Sequence, residues 1–128
     1  MNPVWINKNV VLAIHDEQLA EHGGLPGIRD EGVLESGLDR PRNILLYTNA
    51  DVFDLAAAYA CGVGGQGQPF IDGNKRVSAV LAELFLALNG YSLEVDDAEL
   101  VTVLRLLADN KLNQEEIARW LRKNASAL

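Results

Sequence analysis

The run Gln68-Pro69-Phe70-Ile71-Asp72-Gly73-Asn74-Lys75-Arg76 concentrates the polar chemistry of this chain. Asp-Gly-Asn is a turn signal. Two cations follow it at once, and the apolar stretch Val77–Leu88 reads as a helix behind them. The first amides of a helix have no intrahelical acceptor, so with Lys75 and Arg76 beside them they suit phosphate oxygens. Cations at a helix N-terminus oppose its dipole and reduce stability, so their presence there points to an anion. Asp72 is placed either to cap the helix or to hold a divalent cation on the same phosphates, and a carboxylate has lone pairs for both. Gly73 lets the chain bend sharply and approach a ligand closely. Phe70 reads as an apolar anchor pinning the loop against the preceding helix. Pro69 stiffens the entry, and Asn74 holds the loop through side-chain-to-backbone bonds. An ordinary loop-to-helix turn is the bland alternative for Gly73-Asn74, and the two cations tip the reading toward an anion site.

Such a loop needs a rigid support. The chain has 128 residues, 48% of them hydrophobic, which suits a single domain over residues 1–128 with a real core. The pattern predicts an all-α fold of about six helices with a short β-like flap. The first helix spans roughly Lys8–Glu21 and stops at Gly23-Gly24. Asp30 caps a short second helix carrying Val33, Leu34 and Leu38, which Pro41 ends. The stretch Arg42–Asn49 then reads as the flap. Asp51 caps a third, alanine-rich helix to about Val63. Its end is crowded by Gly62, Gly64, Gly65 and Gly67. Glycine weakens a helix by about 1 kcal/mol per residue, which predicts a loosely held Gln68. Val77–Leu88 is apolar nearly all round and reads as the central helix. Tyr91–Val95 is extended. Asp96/Glu99 and Asn113/Glu116 read as capping boxes for two further helices, and Asn124–Leu128 as a frayed end. The acidic pairs Asp96-Asp97 and Glu115-Glu116 are helix-start charge, not catalytic carboxylates.

The formal net charge of −7 and the scatter of 11 Lys and Arg argue against nucleic acid or anionic membrane as partners. One cysteine, Cys61, excludes an internal disulfide and suits a cytoplasmic location. No leader-like start and no apolar run long enough to span a bilayer is expected.

The nine-residue run resembles the core motif of the Fic/Doc family, His-Pro-Phe-x-Asp/Glu-Gly-Asn followed by Gly-Arg or Lys-Arg. Eight of the nine positions fit the Lys-Arg version, and Gln68 stands where the family has its catalytic His. Further likeness to the death-on-curing branch lies in Val10–Asp16, His22–Asp30, Leu34–Leu38 and Asp54–Tyr59, and spans roughly residues 5–95. Lys75, and Ala79 where other members carry a second arginine, both point to that branch. The chain carries one more residue than the branch in the glycine-rich stretch.

The resemblance implies a small helical toxin that uses ATP and Mg2+ to transfer a phosphoryl, or less readily an adenylyl, group to a protein hydroxyl. Its implied target is elongation factor Tu, and its implied partner an antitoxin whose disordered tail folds on it. The implied catalytic positions are Gln68, Lys75 and Arg76. Nucleotide would be held by Phe70, Gly73, Asn74, Lys75 and Arg76, and metal by Asp72. A Gln amide cannot act as the base that a His supplies near neutral pH. The alternative is therefore a catalytically silent module that binds nucleotide or antitoxin. A nucleotide-free interaction domain is a third reading, and it leaves Lys75-Arg76 unexplained. His15, on the first helix, reads as a packed residue, not a substitute base.

Overall fold

The computed structural model describes residues Met1–Leu128. The fold is the expected all-α one. Six helices, α1 (Lys8–His22), α2 (Glu31–Tyr47), α3 (Val52–Gly64), α4 (Asn74–Leu88), α5 (Asp97–Ala108) and α6 (Gln114–Lys123), surround one core, with a two-stranded element β1 (Tyr91–Leu93) and β2 (Ala125–Ala127). No helix is long and apolar enough to cross a membrane.

The centre is α3 packed against α4. Eleven of the 13 residues of α3 are buried, and alanines at 56, 57, 58 and 60 let neighbouring helices approach closely. Tyr59 is fully buried, and its hydroxyl accepts the Ile6 N–H at 3.1 Å. Burial pushes the Tyr59 phenol above its ordinary value. Caps define the helix starts. Asn7, Asp30, Asp51, Asp96 and Asn113 each accept a first-turn amide. Asn113/Glu116 and Asp51/Asp54 are reciprocal capping boxes. Asp96 binds the Glu99 amide at 2.7 Å without a return bond.

Four expectations are corrected. Pro41 does not end α2, which continues to Tyr47. Leu34, Gly37 and Pro41 form one buried stripe, continued by half-buried Ile44 and Leu45. Burial at helical spacing outweighs the missing Pro41 amide, and the Gly37 carbonyl it frees faces Gly62 of α3 instead. The two backbones nearly touch: a Cβ at Gly62 would stand 2.5 Å from the Gly37 oxygen.

Residues 42–49 are therefore no flap, since 42–47 are helical. The β element is β1 paired antiparallel with β2, Ser92 opposite Ser126. The chain end is consequently not frayed. The Leu128 N–H donates to the Gly90 carbonyl at 2.9 Å, and Asn89 beside it exchanges two hydrogen bonds with the Val4 backbone.

The glycine-rich stretch is the fourth correction. Gly62 and Gly64 lie inside α3 and are buried. A Cβ at Gly64 would lie 2.2 Å from Ser78 Oγ, and one at Gly67 2.5 Å from the Gly62 oxygen. These glycines permit close backbone packing of α3 on α2 and α4; they do not loosen its end.

Candidate functional site

The loop between α3 and α4 is fastened on both sides. Ile28 and Phe70 form an antiparallel bridge. The Pro69 carbonyl accepts from the Arg29 and Asp30 amides at 2.6 and 3.1 Å, and the Ile71 N–H donates to Gly27 O at 3.1 Å. The Arg29 guanidinium donates through Nε (3.0 Å) and Nη2 to the Gln68 carbonyl. Gln68 Nε2 donates to Gly65 O at 3.2 Å. Gln68 is thus held, against the loose placement its glycine neighbours suggest.

Inside the loop, Asn74 is 8% exposed. Its Oδ1 accepts the Phe70 N–H and its Nδ2 donates to the Phe70 carbonyl, both at 2.9 Å. This is the loop-holding role expected of it. The Phe70 ring is 1% exposed and stacks on His15 of α1 at 3.8 Å between centroids. The anchor therefore bears on the first helix, and the ring lies within the core. His15 is itself buried, and its Nε2 donates to the Asp72 carbonyl at 2.9 Å. Sequence reasoning undervalues His15 and passes over Arg29, because only the tertiary fold brings α1 and the 27–30 loop under the motif.

Asp72 does not cap α4. Gly73 is the cap residue, at φ 85 in the left-handed region that favours glycine, with no side-chain cap bond. Asp72 Oδ2 instead accepts the Leu25 N–H at 2.8 Å, which leaves Oδ1 without a protein partner. The amides of Asn74, Lys75 and Arg76 accordingly have no acceptor in the protein; the first bond of this helix runs from Val77 N to Gly73 O at 3.0 Å.

These amides border a cavity of about 400 Å³ lined by Gln68, Asp72, Lys75 and Arg76, with Val101 and Arg105 from α5 on the far wall. Lys75 and Arg76 form no ion pair with a carboxylate; Arg76 Nη1 lies 3.4 Å from His22 Nε2. A larger cavity of about 810 Å³ lies behind Gly65–Gly67, between α2 and the α5–α6 turn. Its charged lining is one Asp30 and one Arg40, with Arg40 already bonded to Gln114 at 2.7 Å. Charge, not volume, selects the motif cavity as the place for an anion.

The chemistry of the donor set fits a magnesium nucleotide. Three open amides and two cations at one helix start are the donor types that suit phosphate oxygens. One carboxylate oxygen is available for a cation that retains most of its waters. No cluster of three protein ligands exists that would hold a metal without a substrate.

Fold and site together define a small helical domain with an uncapped, cation-flanked helix start. Residues 5–86 match the Fic/DOC family. The chain is also 31% identical over 119 residues to "Protein kinase doc" of Escherichia phage P1, covering 92% of this chain and 93% of that protein. The chain belongs to the Fic/DOC family.

Proposed function

We propose that this protein is a Doc-like toxin that transfers the γ-phosphoryl group of ATP to a hydroxyl of a protein, elongation factor Tu, and is restrained by an antitoxin whose disordered tail folds on it. The carrying observation is the uncapped start of α4: three free amides with Lys75 and Arg76 around one cavity. The name of the phage relative, a protein kinase, supports phosphoryl over adenylyl transfer. Phosphoryl transfer depends mainly on positioning and charge neutralisation, which these groups supply. Asp72 would hold a Mg2+, which would supply positive charge to offset that of the phosphates. Lys75 and Arg76 orient the triphosphate, and the Asn74–Phe70 lock keeps the amides in place. The closed location is the cytoplasm, where both ATP and the target reside.

Gln68 favours a second reading. By the resemblance of residues 68–76 to the family motif it stands where the general base is expected, and its carboxamide has no basicity to offer an acceptor hydroxyl. Its Nε2 is already engaged by Gly65 O. The second reading is a silent module that binds nucleotide and antitoxin without turnover.

A γ-phosphate transfer assay on purified elongation factor Tu, run for the parent and Gln68→His, separates the two. Turnover by the parent supports the kinase reading. A dead parent with an active variant, a gain of about 10²–10⁴-fold, establishes the silent module. If the parent fails to bind MgATP in a titration, both readings fall.

A further inference from the structure

Matching to the family ends at residue 86, yet the motif cavity does not. Its far wall is α5, and the charged residue that α5 contributes is Arg105. Arg105 is exposed and forms no ion pair or side-chain hydrogen bond within the protein. It also lines the adjoining cavity of about 440 Å³, between α1, α4 and α5, so it stands at the junction of the two. Glu21, Glu83 and Asp97 line that second cavity, and none of them pairs with Arg105 or Arg76. The motif cavity therefore carries three cations, Lys75, Arg76 and Arg105, against the single carboxylate of Asp72. This is a local excess in a chain whose net charge is −7.

We propose that Arg105 is a specificity-determining residue that grips a phosphate lying beyond the one seated on the α4 amides, so that the site selects polyphosphates over monophosphates. This deepens the nucleotide reading above and rests on it. The amides of Asn74–Arg76 and Lys75 suffice for one phosphate. A second and third extend away from the helix start, toward α5. A guanidinium binds such oxygens through two parallel N–H groups, which an ammonium cannot do. The competing explanation is that Arg105, in the last turn of α5, only complements the helix dipole. That role predicts a change in stability on removal and no dependence on the number of phosphates.

The test is calorimetric titration of the full chain with MgATP, MgADP and AMP, for the parent, Arg105→Ala and Arg105→Lys, with thermal unfolding alongside. Arg105→Ala should weaken ATP at least about tenfold and leave AMP within about twofold. Arg105→Lys should restore the unfolding temperature but not the full preference for ATP. Equal ATP affinity in the parent and Arg105→Ala, or equal weakening of all three nucleotides, overturns the proposal and leaves the nucleotide site standing. A parent that binds none of the three overturns the site itself, and the proposal with it.

Discussion

Asn74 and Phe70 are joined by two hydrogen bonds of 2.9 Å, one to each backbone polar group of Phe70, so the residue that begins α4 also closes the loop in front of it. This ring lets one side chain set both the loop and the direction of the first-turn amides. Asn74→Ala leaves the Phe70 N–H and C=O buried without partners. The expected loss is about 2–4 kcal/mol in urea unfolding, with ATP binding weakened in the same variant. A loss under about 0.5 kcal/mol would mean that the loop holds its shape through the Ile28–Phe70 bridge alone.

Lys75 should show opposite effects on stability and binding. Its charge sits in the first turn of α4 without a carboxylate partner. Lys75→Ala should stabilise the ligand-free protein by about 0.3–1 kcal/mol, because a cation there opposes the helix dipole. The same change should weaken MgATP. Lower ligand-free stability in chemical denaturation would count against an unfavourable charge held for an anion.

Two glycines of α2 and α3 should respond with opposite sign. Gly62→Ala drives a methyl group to 2.5 Å from the Gly37 oxygen and should cost about 1–3 kcal/mol. Gly32, near the start of α2, meets only Asp30 Oδ1 at 3.4 Å. Gly32→Ala should gain about 0.5–1 kcal/mol from helix propensity. Thermal unfolding of both variants reads the difference directly.

Glu83 gives a pH test. Burial, and then the nearby charge of Asp97, raise its carboxyl above the ordinary value of 4.5. A carboxyl raised in the folded state favours folding only while protonated, so its contribution is complete below 4.5 and is lost as pH rises through the folded value. Glu83→Gln should therefore unfold at a higher temperature than the parent at pH 7, and the two should converge below pH 4.5. A constant difference across that range would point to packing as the cause.

Much of this molecule is legible in its residues. The caps Asp30, Asp51 and Asn113 and the apolar run of α4 announce their helices, because those signals are local. The motif is equally local, so the open amides, Lys75, Arg76 and the Asn74 lock follow from nine consecutive residues. Pro41 misleads because the buried stripe that overrides it depends on Gly37 meeting Gly62, a contact 25 positions apart in the numbering. Ala125–Ala127 has little intrinsic strand preference, and only its pairing with β1 makes it one. Asp72 looks like a cap because it precedes the helix, yet the Leu25 amide claims its side chain. Arg29, His15 and Arg105 reach the site from three different segments, and no spacing rule links them to it.

Val4 and Leu128 both fasten to the turn Asn89-Gly90 at the tail of α4. That turn is separated from the motif by the 15 residues of α4, about 22 Å of helix. Val4 and Leu128 thus meet on the side remote from the motif cavity. A short peptide could splice them together and new ends be opened in an exposed loop, giving a circularly permuted form that keeps the cavity intact. The same geometry lets a fluorophore or surface tether be attached at either end without obstructing the motif cavity.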